Sequence, residues 1–383
     1  MTSIEIIQVK TARQYKMFAS FPWQIYHNDP LWVPPLLPER LRTIDAKRGV
    51  FFKRGTADFF IAYRGGCPVG TICAAEDSRT NQMRGTRECP IGFFECIDHN
   101  GVAQALFAQA DSWAKTHGLD ALFGPFNLDY EDSYGVLIEG RDRPPVLLCG
   151  HTPPYYQRLF EQSGFLSTRG DNLAFEITPR LDSPQVLRLH KLAEHLRQRG
   201  RIQIRAGDLE HWDLEIERIH VLLNRALAHL PDFIPWHLDA LQASMEPFRQ
   251  IVDPELILFA EYDGQTVGWF PGIPNLNEAF IHANGLRFPW NYATLWWHLR
   301  KTPKCLAIKS VLVLPEYWST GVAILLFDEM ARRAVAKGYQ WLDLSLTSAD
   351  NPYTPTLADR MGARLYKRYR VYRRPLSAGT EQI

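Results

Sequence analysis

The sequence predicts a duplicated α/β (α+β) fold, with a mixed central sheet flanked by helices in each half. Three observations point there. Phe59-Phe60-Ile61-Ala62-Tyr63-Arg64-Gly65-Gly66-Cys67-Pro68-Val69-Gly70 returns loosely as Leu258-Phe259-Ala260-Glu261-Tyr262-Asp263-Gly264-Gln265-Thr266-Val267-Gly268. Leu159…Gly164 returns as Leu357…Gly362, and both landmarks are displaced by the same 198 residues. One offset shared by unrelated stretches marks an internal repeat. Within each copy, strand-like and helix-like runs follow one another. The expected organisation is an N-terminal half over 1–178, a connecting helix over 179–200 and a C-terminal half over 201–383.

The elements follow in order. Five prolines (Pro22, Pro30, Pro34, Pro35, Pro38) with Trp23 and Trp32 make 20–40 an extended apolar arm rather than a linker. A hairpin over 58–63 and 68–75 turns at Arg64-Gly65-Gly66, where glycines tolerate positive φ. A strand at 91–97 precedes a helix at 101–117, with Val102, Leu106, Ala110 and Trp113 at helical spacing. A short strand at 121–123 opens a long excursion, 124–154, before a helix at 155–163. An amphipathic helix at 183–199 connects the halves. The second copy repeats the hairpin at 256–270, a strand at 306–314, a helix at 322–337 and a strand at 341–346. In the last of these, Leu342, Leu344 and Leu346 take one face while Asp343 and Ser345 take the other. A short helix near 354–361 and a strand near 366–373 complete it.

Composition excludes several classes. Lys and Arg total 43 against 42 Asp and Glu, so no global field recruits nucleic acid or an anionic membrane. Six cysteines lie scattered without a C-x-x-C pair or a Cys/His cluster, which predicts reduced thiols, no metal and a cytoplasmic protein. No N-terminal basic flank leads into an apolar stretch, so no signal peptide is expected. No run of about 18 apolar residues occurs, so no transmembrane segment is expected either.

Chemistry concentrates in Lys309-Ser310-Val311-Leu312-Val313-Leu314-Pro315-Glu316-Tyr317-Trp318-Ser319-Thr320-Gly321-Val322-Ala323. An apolar strand runs into a tight loop that ends on small residues at a helix start. Free N–H groups of a first helical turn bind anions, and small residues let a pyrophosphate approach the backbone. The alternative is an ordinary strand–loop–helix with a glycine at its turn.

On this segment the chain resembles the GCN5-related N-acetyltransferase (GNAT) superfamily, whose motif is Arg or Gln, two residues, Gly, one residue, then Gly or Ala. Gly321 and Ala323 fit, whereas Trp318 stands at the Arg/Gln position. The resemblance implies that Trp318, Ser319, Thr320, Gly321, Val322 and Ala323 cradle the pyrophosphate of acetyl-CoA or a longer acyl-CoA. It also implies that Val311, Leu312 and Val313 pair with the pantetheine arm. Asn351 heads the next helix, and Gly362-Ala363 takes the place of the family's terminal Gly-Phe. The likeness covers roughly 256–373, with a weaker copy over 58–176 that has lost the cradle. A closer likeness is to large bacterial GNAT-like proteins with paired halves, some described as bacterial ceramide synthases. It rests on Trp32-Val33-Pro34-Pro35-Leu36, Gly124-Pro125, Pro153-Pro154-Tyr155-Tyr156, Pro274-Asn275-Leu276-Asn277 and Tyr369-Arg370-Val371-Tyr372.

Acyl transfer to an amine needs a base for the ammonium proton and an acid for the thiolate. The acid of many GNAT enzymes is a Tyr, and its position here is Ala358, with Phe160 in the first copy. Candidate bases are Asp129 and Glu131, in the acidic run 127–134, and His282 on a strand-like stretch. Each has a plainer reading, as a solvated acidic loop or a structural histidine. Tyr353 and Tyr366 are further hydroxyls. Lys367, Arg368, Arg370, Arg373 and Arg374 read either as a charged edge strand or as a contact for a coenzyme phosphate or an acyl carrier protein. Phe233, Ile234, Pro235 and Trp236, with Trp269, Phe270, Phe288, Trp290, Trp296 and Trp297, read mainly as core and otherwise as the lining for a long acyl chain.

These features predict an acyltransferase that moves an acyl group from acyl-CoA, or from an acyl carrier protein, to a small-molecule or lipid-like amine by direct attack. No Cys or Ser occupies a nucleophile motif. The alternatives are a non-catalytic acyl-CoA-binding scaffold, favoured by Trp318 and Ala358, and transfer to a hydroxyl.

Overall fold

The computed structural model describes residues 3–128, 135–179, 182–229, 233–351, 356, 358–359 and 361–376. In the N-terminal half, strands β1 (Ile4–Gln8), β2 (Gly55–Arg64), β3 (Cys67–Asp77), β4 (Glu88–Cys96) and β5 (Ala121–Gly124) are joined by β6 (Val136–Glu139), β7 (Leu166–Ser167) and β8 (Asn172–Ile177). The C-terminal half contributes β9 (Ile202–Ala206), β10 (Ile257–Tyr262), β11 (Gln265–Pro274), β12 (Cys305–Ile308), β13 (Leu312–Val313), β14 (Trp341–Ser348), β15 (Arg364–Arg370) and β16 (Tyr372–Pro375).

The repeat is visible in backbone detail. Both hairpins turn on two positive-φ residues, Gly65 and Gly66 in the first and Asp263 and Gly264 in the second, as a tight two-residue turn requires. Both carry a register shift, between Ala62 and Tyr63 and between Ala260 and Glu261. Those bulges lie at equivalent positions of the two copies.

The halves exchange strands. The first sheet runs β1-β2-β3-β4-β5-β16-β7, and the second runs β6-β15-β8-β14-β12-β11-β10-β9 with β13 also paired to β11. β6 and β8 therefore complete the second sheet, while β16 completes the first. The single strand expected near 366–373 is broken at Val371, which is buried beside Phe123 and Phe126 and passes the chain from one sheet to the other. This overturns the edge-strand reading of the basic cluster. β15 lies between β6 and β8, and β16 lies between β5 and β7. Lys367 is fully buried and donates to the carbonyls of Gly140 and Arg143. Arg370 pairs with Asp171, Arg373 with Glu88 and Arg374 with Asp111.

Because each sheet needs strands from the other half, 1–178 or 201–383 expressed alone is expected to lack a cooperative thermal transition by circular dichroism. A sharp melt of either fragment would contradict this.

In the first half, Phe160 packs between Phe94, Phe107 and Phe165, with centroids 5.0 to 5.1 Å away. The phenyl at the family's acid position is thus core, and Ala358 is equally buried, against Leu173 and Phe175. The proline-rich arm is not extended throughout. Short helices Pro22–Ile25 and Leu37–Thr43 fold it back, Tyr26 stacks on Trp32 at 4.9 Å, and Trp23 Nε1 donates to the Asn284 side chain of the second half at 2.8 Å.

Candidate functional site

Each half contains one parallel strand pair that splits. β4 follows β5 from Glu88 to Pro90, and β12 follows β14 from Cys305 to Ile308. The first split is sealed by its own chain: Phe126 N donates to Ile91 O at 2.7 Å, and Phe93 N donates to the Asn127 side chain at 2.8 Å. A Cβ on Gly92 would lie 1.5 Å from the Phe126 carbonyl oxygen, so glycine alone permits that closure. Among the described residues, no backbone hydrogen bond closes the second split in this way. After Ile308 the chain bulges through Lys309–Val311 and resumes as β13, pairing only with Gly268 and Trp269 of β11. Val311 is exposed, whereas Leu312 and Val313 are buried.

Beyond β13, Pro315–Tyr317 forms one 3-10 turn and Gly321, at φ 93°, N-caps the helix Val322–Ala336 without a side-chain cap. The first-turn N–H groups are left for a ligand or solvent. The first copy differs here too, since His99 accepts from Val102 N at 3.3 Å and caps the helix Asn100–Thr116. Two features narrow the space at this helix start. The Trp318 indole donates to Val313 O at 2.9 Å. Leu196, on the connecting helix Pro184–Gln198, packs on Gly321 so closely that a Cβ there would meet its Cδ1 at 2.5 Å. Gly321→Ala is therefore expected to destabilise the fold by about 1–3 kcal/mol through backbone strain and the clash, read by denaturant unfolding. Adding Leu196→Ala should recover the steric part only.

At the base of the second split lies a buried polar network. Lys309 Nζ donates to Asp343 Oδ2 at 3.1 Å and to Ser345 Oγ at 2.8 Å. Ser345 Oγ donates to Asp343 Oδ2 at 2.6 Å, and Tyr366 OH donates to Asp343 Oδ1 at 2.6 Å. Cys149 Sγ, from the first half's excursion, sits 3.4 Å from Ser345 Oγ. Burial alone would push Lys309 down, but the Asp343 carboxylate raises it above its ordinary value, so it stays an ammonium. Burial pushes the Tyr366 hydroxyl well up. Asp343 and Ser345, placed by the alternation on one face of β14, are buried there because β14 is a central strand with both faces covered.

Three cavities meet around this base. An apolar one of about 180 Å³ is walled by Trp212, Leu241, Phe248 and Trp269 and reaches Lys309 and Ser310. One of about 500 Å³ carries Arg42, Arg48, Arg54, Arg79 and Arg84 on its first-half wall, opposite Phe233, Ile234 and Trp236, and also reaches Ser310. The third, about 330 Å³, lies under the arm, is lined by Trp32, Arg40, Phe93 and Glu95, and reaches Leu148 and Cys149. In it, burial raises the Glu95 carboxyl to about 7, against the lowering effect of Arg40 and of Tyr156, whose hydroxyl donates to it at 2.7 Å.

Residues 224–363 match the family described as "Acetyltransferase (GNAT) family". The chain is also similar over its length to a solved structure titled as a tandem GNAT protein from the clavulanic acid biosynthesis pathway, with a TM-score of 0.60, 11% identity and coverage of 98% of this chain and 100% of that one. The chain has a tandem GNAT fold, with a GNAT-family domain in its C-terminal half. It is 29% identical over 382 residues to the bacterial ceramide synthase of Caulobacter vibrioides (strain NA1000 / CB15N), covering 97% of this chain and 98% of that protein. It is likewise 29% identical over 370 residues to Protein YghO of Escherichia coli (strain K12), covering 94% and 93%.

Across this tandem fold the sequence-predicted residues scatter. Val311 to Ala323 stay together along the rim of the split in the GNAT domain. Asn351 lies in the turn after β14, its N–H bonded to Ser348 O at 3.0 Å, and lines none of the three cavities. His282 is not on a strand: it occupies an exposed turn after the short helix Asn277–Phe280, stacked on His298 at 4.0 Å, and lines no cavity among the three. Asp129 and Glu131 lie outside the described residues, although their neighbours Asn127, Leu128 and Gly135 line the cavities. Sequence reasoning missed Lys309, Asp343 and Ser345 as a unit, and missed Glu95. The available signal was a carboxylate on an otherwise apolar strand in each half. Among the described residues, no group of His, Cys, Asp and Glu could hold a metal, and no helix is long and apolar enough to cross a membrane.

Proposed function

We propose that the chain is an N-acyltransferase that takes an acyl group from acetyl-CoA or a longer acyl-CoA, or from an acyl carrier protein, and passes it to an amine. The open split of the C-terminal half carries this reading. Its rim offers an uncapped helix N-terminus for a pyrophosphate, and its base, at Ser310, opens into both the apolar and the arginine-lined cavities. The donor would lie along Val311–Val313 with its phosphates at Ser319–Ala323. The acceptor would occupy the cavities on the other side. The aromatic wall of the apolar cavity suits a hydrocarbon chain, and the similarity to a protein named as a ceramide synthase supports a lipid-like amine.

In the proposed reaction the amine nitrogen attacks the thioester carbonyl carbon, the C–N bond forms and the C–S bond breaks. The ammonium proton passes to a base and the electron pair leaves on sulfur. Among the described residues Glu95 suits the base, because a carboxyl near 7 is half-ionised at neutral pH. Asp129 and Glu131 remain candidates from the adjoining segment. Lys309 supplies fixed positive charge for the oxyanion or thiolate. It takes over an electrostatic role for which Ala358 has no hydroxyl.

A non-catalytic acyl-CoA-binding scaffold is the second reading, favoured by the Trp318 indole occupying the Val313 carbonyl. Calorimetric titration with coenzyme A, acetyl-CoA and palmitoyl-CoA tests the donor site. Binding is expected, lost in Gly321→Glu and tightened severalfold in Trp318→Arg, which adds a charged partner for phosphate. Binding that is unchanged in Gly321→Glu would remove the cradle from the account.

A further inference from the structure

The balanced charge of the whole chain hides a local imbalance. The helix Trp290–Leu299 carries Asn291, Thr294 and His298 on one side, and that side faces inward, with Asn291 its one buried residue. Trp290 is 63% exposed, Trp296 56% and Trp297 60%, with Phe288, Tyr292 and Leu299 also exposed. This corrects the expectation that these aromatics are core. A helix that turns its polar side inward and a broad aromatic face to water presents a surface that something covers. At about 100° per residue, Trp290 and Trp297 share one direction, and Trp296, Tyr292 and Leu299 extend the same exposed face over about half of the circumference.

The flanks name the medium. Arg287, Arg300, Lys301 and Lys304 are exposed, and the sequence from 287 to 304 contains no Asp or Glu. Arg300 lies over the Trp296 ring at 3.4 Å, and Arg287 lies over Phe288 at 5.7 Å. Tryptophan and tyrosine settle at the headgroup level of a bilayer, while arginine and lysine reach its phosphates with their stems along apolar surface.

We infer that this helix is a peripheral membrane anchor, seating the protein on an anionic lipid surface. Its place in the fold gives the contact a use. Phe280 lines the arm cavity, and two residues later His282 stacks on His298 of the helix, so the anchor stands beside that cavity's mouth. The inference does not depend on acyl transfer.

Flotation of the full chain with phosphatidylcholine vesicles, with and without phosphatidylglycerol, tests it. Binding is expected to rise with phosphatidylglycerol, to fall with salt and to shift tryptophan emission to the blue. Trp296→Ser with Trp297→Ser should lower the partition coefficient about tenfold or more. Arg300→Gln with Lys301→Gln should lower it severalfold on phosphatidylglycerol vesicles alone. Both double variants alter exposed side chains and should keep the wild-type thermal midpoint. Wild-type protein that stays in the buffer fraction with both vesicle types overturns the inference, as does unaltered binding by the tryptophan variant. A wild-type dimer that the tryptophan variant dissolves in sedimentation velocity, without vesicle binding, overturns it in favour of a second copy of the chain.

Discussion

Replacing Glu95 with Gln is expected to stabilise the protein at pH 8 while lowering amine acylation about a hundredfold or more. The sign follows from burial. The folded carboxyl is raised from 4.5 to about 7, so between those values the folded chain holds a proton that the unfolded chain has released. Stability therefore falls as pH rises through that window, and above pH 7 the ionised carboxylate costs about 3 kcal/mol. Glutamine keeps an acceptor for Tyr156 and carries no charge, so the cost disappears. The variant's thermal midpoint should match wild type near pH 4.5 and exceed it by several degrees at pH 8. A base with this pKa also predicts that the wild-type rate falls below about pH 7. A variant that is no more stable at pH 8 would refute the buried charge, and one with full activity would remove Glu95 from the reaction.

Asp343→Ala is the substitution with the largest expected loss of stability. It leaves the Lys309 ammonium without its carboxylate in a buried site and deprives Ser345 and Tyr366 of their acceptor. Breaking one partner of a buried pair costs about 3–5 kcal/mol. Replacing both partners, as Asp343→Leu with Lys309→Met, should cost less than Asp343→Ala alone, because no unpaired charge remains. Denaturant unfolding of the single and double variants measures this. If the double variant loses as much as the sum of the singles, the pair is not coupled. Its activity should stay low even where its stability recovers, since the proposed role of Lys309 is to hold charge at the base of the split.

The duplication was legible because turn chemistry leaves a local mark: Gly65-Gly66 and Asp263-Gly264 need positive φ, and that need is written in residue type. The strand–loop–helix turn at Gly321 was legible for the same reason. Strand exchange was not. Nothing local to Lys367 or Arg370 says that β15 will lie between β6 and β8, so charged residues on a strand read as an edge. The break at Val371 was hidden within a continuous strand-like run. Asp343 illustrates the limit of periodicity, since alternation implies a wet face only when the strand has one. Lys309 and Asp343 lie in different elements, and their pairing exists only after β12 and β14 have come together. His282 misled because a turn between two short helices has too few residues to show a period. The aromatics from Phe288 to Trp297 misled through composition, which counts apolar residues without saying where they face.

The account's central claim is that the open split in the C-terminal half joins an acyl donor to an amine held in the cavities. Incubating the protein with palmitoyl-CoA and a long-chain amino alcohol, and following thiol release together with product mass, tests it most directly. The account predicts one N-acyl product for each thiol released, abolished by Gly321→Glu and strongly reduced by Glu95→Gln, with donor binding retained in the latter. Donor binding without thiol release across a panel of amines would contradict it, as would a product acylated on oxygen.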